Sequence, residues 1–162
     1  MLHCLCTKTL DRCKIFFKRI DPGGYFIKNV QIFKVDKMKQ VVFGPVLIPN
    51  IEDLQGDIIT EEEIENAAYD YMIKSRMTGF RHEKELDAVI VESYIVKNDS
   101  WFRNGDNQDE YIPKGSWVVG MKILDDKVWE GVLDGTYNSF SIGGFGVSTP
   151  IEGGVDNGGG GN

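Results

Sequence analysis

The alternation and clustering of hydrophobic residues along the chain predict five β-strands. The second strand, residues 41–48, is apolar almost throughout, which is typical of a strand buried on both faces. Gly44 and Pro45 interrupt this run and predict a bulge or an edge position there. The other predicted strands alternate less regularly and span residues 29–35, 88–96, 116–124 and 140–142.

Two segments carry the signals of helices. Thr60 can cap the first helix while Glu63, three residues later, reaches back to the Thr60 backbone, and this capping box is the clearest helix start in the chain. A second, shorter helix begins after Asp125 or Asp126 and ends at Gly135. In the first helix, hydrophobic residues at helical spacing predict one buried face, formed by Ile64, Ala67, Ala68, Tyr71 and Met72.

The order of these elements is strand, strand, helix, strand, strand, helix, strand. Because helices are too few for a parallel β-α-β array, the sequence predicts an α+β fold. We expect a mixed, mostly antiparallel, curled sheet or a small barrel, flanked by two or more helices. Residues 29–150 form the predicted domain, residues 1–28 a poorly ordered basic leader, and residues 151–162 a flexible glycine-rich tail.

Charge is distributed unevenly over the chain. Residues 1–40 contain nine Lys and Arg against three Asp and Glu, a net charge of +6, and the remainder carries −13. The acidic body argues against nucleic-acid binding by the main domain. We interpret the basic leader as a solvated tail, with nucleic-acid binding by the leader as the alternative. No run of about 20 apolar residues is present, so no membrane span is expected.

The leader also contains every cysteine of the chain, Cys4, Cys6 and Cys13, together with His3. Their spacing lacks the two ligand pairs that are typical of a zinc site. We therefore interpret them as reduced intracellular thiols, and the sequence predicts no metal site. The N-terminus lacks the apolar core and small-residue cleavage site of a signal peptide.

His82 and Ser141 are the residues with the chemistry for nucleophilic catalysis. The only other histidine is His3, so an imidazole base acting near neutral pH in the main domain would be His82. Ser141 stands between hydrophobic residues and is followed by Gly143 and Gly144, whose amides could bind an oxyanion. The Gly-x-Ser-x-Gly motif of α/β-hydrolases is absent. The residues alone leave open a structural serine in a strand and a solvated loop histidine.

Seven short motifs follow one another between Ile32 and Gly144. They are IFKVD (32–36), VFGPVLIP (42–49), DLQGDIIT (53–60), EEIENAA (62–68), VESYI (91–95), KGSWVVG (114–120) and FSIGG (140–144). In this order they resemble the phage serine proteases of the XkdF type, which are relatives of the prohead proteases that mature capsids. The resemblance omits residues 1–28 and the tail after Ile151.

This resemblance implies a fold similar to that of the herpesvirus assemblins, with a closed, barrel-like sheet flanked by helices, and by analogy a homodimer. It also implies that Ser141 is the nucleophile and His82 the general base, with oxyanion donors among the amides of Ile142, Gly143 and Gly144. One departure concerns the oxyanion geometry, since Ser141 is followed by Ile-Gly-Gly-Phe rather than by the commoner Ile-Gly-Phe.

The third catalytic member that the resemblance implies is an acidic residue between His82 and Ser141. Alternation over residues 88–96 puts Glu92 on the same strand face as Ile90, Tyr94 and Val96, where an unpaired carboxylate would be costly. We therefore assign Glu92, with an outward-facing strand residue as its other interpretation. Asp99, just past the same strand, is the alternative third member.

Two functions follow from the resemblance. The first is a phage serine endopeptidase that processes scaffold and major capsid proteins inside the assembling procapsid, in the host cytoplasm. It needs no cofactor and no membrane. The second is a catalytically silent head-assembly or scaffold domain with the same fold.

Overall fold

A computed structural model describes residues 4–7, 14–18, 32–51, 57–80, 84–85, 87–103, 109–143 and 147–150. Within these ranges the helices are α1 (Glu61–Asp70) and α2 (Asp126–Leu133). The strands are β1 (Cys4–Thr7), β2 (Lys14–Lys18), β3 (Lys34–Asp36), β4 (Val41–Leu47), β5 (Asp57–Ile58), β6 (Met77–Phe80), β7 (Lys84–Glu85), β8 (Ala88–Ile95), β9 (Ser100–Arg103), β10 (Asp109–Ile112), β11 (Trp117–Ile123), β12 (Ser139–Gly143) and β13 (Val147–Pro150).

The central sheet is antiparallel, with the strand order β3-β4-β11-β8. Strands β4 and β11 occupy its middle and are buried almost throughout, as the apolar run at 41–48 predicts. Trp117 lies opposite Leu47 whereas Val118 lies opposite Pro45, so the ladder contains a bulge at Val46. The bulge predicted around Gly44 and Pro45 is therefore confirmed, and β4 is an inner strand of this sheet.

Helix α1 begins as the sequence predicts. Thr60 Oγ1 accepts a hydrogen bond from the Glu63 amide at 3.3 Å, and Glu63 Oε2 accepts one from the Thr60 amide at 2.8 Å. After Asp70 the chain continues as one π-helical turn, Tyr71–Ser75, and leaves the helix at Arg76, whose φ of 55° is left-handed. Four residues of the predicted face are buried: Ile64, Ala67, Ala68 and Tyr71. The fifth, Met72, is half-buried.

The main core forms where α1 and α2 pack against β4, β8 and β11. Trp117 is completely buried at its centre, with its ring centroid 5.3 Å from that of Tyr71. The indole Nε1 of Trp117 donates to Ser93 Oγ on β8 at 3.0 Å. From α2, Val128, Trp129 and Val132 join this core, and Asp125 caps that helix as predicted.

Two further sheets include strands from the basic leader. One has the order β13-β1-β5 and the other β12-β2-β6-β7. Strand β1 pairs antiparallel with β13 and parallel with β5, and β2 pairs antiparallel with β12 and parallel with β6. Segments 4–7 and 14–18 of the predicted leader thus contribute the strands β1 and β2. Residues 15–17 read Ile-Phe-Phe, and this short apolar run suits an inner strand.

The two helices and the mostly antiparallel sheets make this an α+β protein. The closed barrel implied by the resemblance is not found among the described strands, which belong to separate sheets. The expected similarity to the fold of the herpesvirus assemblins is therefore not shown. Within the described residues, no helix is long and apolar enough to cross a membrane.

The hairpin formed by β9 and β10 packs its inner face on a second, smaller core. The Phe102 ring stacks on the Phe33 ring with centroids 4.4 Å apart, and Ile112 is completely buried. Glu110 lies opposite Phe102 across the hairpin and is half-buried. Burial raises the pKa of the Glu110 carboxyl above its ordinary value of 4.5.

We expect Glu110→Gln to stabilise the protein near neutral pH. A raised carboxyl pKa means that the folded state binds this proton more tightly than the unfolded chain does. The stability from this group is complete below the unfolded pKa and is lost as the pH rises through the folded pKa. The melting temperature of Glu110→Gln should therefore exceed that of the wild type by more at about pH 7 than at about pH 4. An equal difference at both pH values would contradict the assignment.

Candidate functional site

The sheet β12-β2-β6-β7 connects the strand of Ser141 to the strands on either side of His82. Ser141 lies opposite Phe16 on β2, and Phe16 lies opposite Gly79 on β6. With neighbouring strands about 4.8 Å apart, the backbones at Ser141 and Gly79 are separated by about 10 Å. The sheet thus connects the strand of Ser141 to β6 and β7, the strands that precede and follow residues 81–83.

His82 itself lies in residues 81–83, outside the described residues. The residues that flank it are described: Gly79 pairs with Glu85, and Phe80 pairs with Lys84, between antiparallel strands β6 and β7. The two residues nearest to this segment that the structure describes, Phe80 and Lys84, are therefore strand partners.

Strand β12 is held against the central sheet by its own residues. Phe140 is almost completely buried, and a Cβ placed on Gly44 of β4 would come within 3.2 Å of the Phe140 ring. Just before the strand, the carbonyl of Asn138 accepts a hydrogen bond from the Ile32 amide at 2.8 Å. These contacts fix the backbone that carries Ser141. Of the predicted oxyanion donors, Ile142 and Gly143 end this strand, and Gly144 lies outside the described residues.

Glu92 is exposed on β8, which is an outer strand of the central sheet. It lies opposite Gly120 of β11, and a Cβ on Gly120 would stand 3.1 Å from the Glu92 Cβ. The expectation that Glu92 shares the strand face of Ile90 is therefore wrong, its other interpretation as an outward-facing residue describes its placement, and its catalytic role stays a prediction. The physical reason is a bulge: Gly120 pairs with Glu92 while Met121 pairs with Ile90, so Val91 is the extra residue and the strand reverses its faces there.

Asp99 accepts hydrogen bonds at the base of the β9–β10 hairpin. Its Oδ1 accepts a hydrogen bond from the Lys114 amide at 2.8 Å, and its carboxylate also accepts one from the Tyr111 hydroxyl. The pKa of Tyr111 is raised, chiefly by this hydrogen bond to Asp99. Asp99 thus ties the entry of the hairpin to its exit.

Two features near the candidate site were missed from the sequence. Strand β2 stands between the strand of Ser141 and β6, although it belongs to the leader. Thr78 on β6 is buried, and its hydroxyl donates to the Ala88 carbonyl at 2.8 Å. A threonine four residues before the candidate base was the available signal, but such a residue is too common in strands to be singled out.

Comparison with known proteins finds a matching family and similar proteins. The family described as "Putative phage serine protease XkdF" matches residues 29–150. The chain is 32% identical over 140 residues to the phage-like element PBSX protein XkdF of Bacillus subtilis (strain 168), covering 85% of this chain and 49% of that protein. It is 31% identical over 139 residues to the uncharacterized protein YqbD of the same organism, covering 85% of this chain and 41% of that protein.

The chain thus spans about half the length of the curated relatives that it matches, or less. No solved structure is significantly similar to it. The match to residues 29–150 extends over most of the chain and includes the segments of both His82 and Ser141. The predicted resemblance is confirmed, and the chain belongs to the XkdF family, whose description names a phage serine protease.

Proposed function

We propose that this chain is a serine endopeptidase domain in which His82 and Ser141 form the catalytic pair. The observation that carries the proposal is the sheet β12-β2-β6-β7, because it joins the strand of Ser141 to both strands that flank His82. Membership of a family described as a phage serine protease supports the same chemistry.

In the proposed mechanism the Ser141 hydroxyl attacks the scissile carbonyl while His82 accepts its proton. The resulting oxyanion is bound by backbone amides from Ile142, Gly143 and Gly144. His82 then gives the proton to the leaving amine, and the acyl-enzyme is hydrolysed by water that His82 activates in turn. No metal or other cofactor takes part in these steps.

A carboxylate that orients His82 completes the proposal. Of the two acidic candidates we propose Glu92, because the carboxylate of Asp99 already accepts hydrogen bonds from Lys114 and Tyr111. A side chain that is exposed at an outer strand remains accessible to a residue from another segment. In a proton-transfer mechanism, such a carboxylate holds the imidazole in one tautomer and stabilises the imidazolium.

The proposed substrates are the scaffold and major capsid proteins of a phage, cut inside the assembling procapsid in the host cytoplasm. The family description supports a phage setting. A homodimer is the proposed oligomeric state. The alternative outcome is a catalytically silent head-assembly domain, and the following experiment distinguishes it from a protease.

The test is co-expression of the protein with the scaffold and major capsid proteins of the same phage, followed by intact-mass analysis. Fragments should appear with the wild type and disappear with Ser141→Ala and with His82→Ala. Ser139→Ala, two residues away on the same strand, is the matched control and should still give fragments. Uncut products in every case, with particles still forming, would favour the silent assembly domain. Loss of cleavage in Ser139→Ala alone would contradict the choice of nucleophile.

A further inference from the structure

The outer strand β8 presents an exposed hydrophobic surface. Val89 is 50% exposed, Val91 51% and Tyr94 38%, and Glu92 is exposed on the same face. The bulge has this effect, because it places Val91 and Glu92 in succession on one face of the strand. Among the residues that the structure describes, no further strand pairs with β8 on the side away from β11. An exposed hydrophobic strand at the edge of a sheet is a template for pairing with another chain.

The ladder with β11 determines which backbone groups of β8 point outward. The Val96 amide donates to the Ser116 carbonyl at 2.9 Å, and the Asp87 carbonyl accepts from the Leu124 amide at 2.9 Å, so both ends of β8 face β11. Inward from each end, every second residue points away from β11, and the bulge at Val91 shifts this alternation. The residues whose amides and carbonyls point outward are therefore Ala88, Ile90, Ser93 and Ile95.

The middle of this edge is open to a new partner. At one end, the Ala88 carbonyl already accepts a hydrogen bond from Thr78 Oγ1 at 2.8 Å. Further along, the outward backbone groups of Ile90 and Ser93 have no hydrogen-bond partner within the described part of the chain. Unpaired amides and carbonyls at a sheet edge are satisfied by water or by an added strand.

We propose that β8 pairs antiparallel with β8 of a second copy of this chain, across a twofold axis between Val91 and Glu92. In such an interface, residue i of one subunit meets residue j of the other, and j meets i. With the axis at this point, Ile90 lies opposite Ser93 of the partner subunit, and both have outward backbone groups. In an uninterrupted strand, residues three apart point to opposite edges. The bulge at Val91 therefore makes this edge complementary to itself.

The same register suits the exposed side chains. A twofold axis perpendicular to the sheet keeps the outer faces of both copies on the same side. Val89 then lies opposite Tyr94 of the partner subunit, and pairs of an aromatic with a β-branched residue stabilise neighbouring strands. Val91 lies opposite Glu92 of the partner subunit, so the two carboxylates are diagonal neighbours and not direct opposites. Because the pairing uses backbone groups, the Glu92 side chain stays on the outer face of the joined sheet.

This inference rests on the homodimer that is part of the proposed function, and it names the interface of that dimer. It is independent of the proposed cleavage chemistry. Each subunit contributes one strand, so the interface is small and the dimer is reversible. The fraction of dimer should therefore rise with protein concentration.

The test compares Val91→Glu with Val91→Lys in the full chain, by analytical ultracentrifugation at low ionic strength over about a hundredfold range of concentration. In Val91→Glu a carboxylate faces Glu92 of the partner subunit, and the symmetry repeats this repulsion. We therefore expect the dissociation constant of the dimer to rise by about tenfold. In Val91→Lys an ammonium group faces Glu92 of the partner subunit, so the constant should stay close to that of the wild type.

Val35→Glu is the matched control. Val35 is 37% exposed on β3, which is the outer strand at the opposite edge of the same sheet. The substitution adds the same charge to the chain as Val91→Glu but lies away from the proposed interface. It should leave the dissociation constant unchanged.

Three results would overturn the proposal. Equal constants for the wild type and every variant would place the interface elsewhere, and the homodimer itself would stand. Equal weakening by Val91→Glu and Val91→Lys would show that residue 91 does not face Glu92 of the partner subunit. A wild type that stays monomeric at every concentration would remove the proposed homodimer as well. Failure of the protease chemistry is recognised separately, because cleavage would then be absent from the wild type or persist in Ser141→Ala.

Discussion

Ser141→Ala and His82→Ala will each lower the rate of substrate cleavage by about 10³-fold to 10⁶-fold, and the double variant will be no slower than the slower single variant. The serine hydroxyl is a weak nucleophile until a base removes its proton, and the base has nothing to deprotonate once the serine is gone. Removal of either residue already abolishes the function of the pair, so the losses in rate from the two substitutions are not additive.

The measurement is the time course of cleavage of purified scaffold or capsid protein by the wild type, both single variants and the double variant. High protein concentration is advisable, because assembly inside a procapsid would supply it. Thermal unfolding of each variant shows whether the fold is retained. Losses that multiply in the double variant would mean that His82 does not act on Ser141, and the catalytic pair would then have to be reassigned.

The parts of the fold that depend on local signals were predictable. The capping box at Thr60 and the apolar run of β4 depend on neighbours within a few residues, and the structure contains both. The cap of α2 at Asp125 is of the same kind. At both helix caps, the local sequence contains the backbone amide that needs a hydrogen-bond acceptor and the side chain that supplies it. No tertiary information is needed to predict such features.

The bulge in β8 shows why the faces of a strand are harder to predict. Uninterrupted alternation places Glu92 with Ile90, but an extra residue at Val91 reverses the faces from that point onward. Ile90 faces the main core before the bulge, and Ser93 faces it afterwards, where it accepts the indole hydrogen bond of Trp117. A bulge is decided by the neighbouring strand, so the sequence of β8 alone does not reveal it.

Strand β2 illustrates the same limit at longer range. The segment Lys14–Lys18 is short, lies in a basic leader and is followed by the sequence Pro-Gly-Gly at residues 22–24, so its local signals predict little structure. Its strand partners are Ser139–Gly143 and Met77–Phe80, far away in the chain. A motif pointed to Ser141 and the scarcity of histidines pointed to His82, whereas the sheet that connects the neighbouring strands depends on this non-local pairing.

Trp117→Ala will lower the free energy of unfolding by about 3–5 kcal/mol. Trp117 is completely buried between the helices and β8, and its ring contacts that of Tyr71 at a centroid distance of 5.3 Å. Truncation leaves a cavity in the main core and removes the donor to Ser93 Oγ. Trp117→Phe retains an aromatic ring but not the donor, so a loss of about 1–3 kcal/mol is expected.

Urea unfolding, followed by far-ultraviolet circular dichroism, measures these losses, and Trp101→Ala is the matched control. Trp101 is 68% exposed on the β9–β10 hairpin, with its ring beside that of Tyr111. Its truncation removes this one aromatic contact and leaves no cavity, so the expected loss is about 1 kcal/mol or less. Equal losses at Trp101 and Trp117 would contradict a core centred on Trp117.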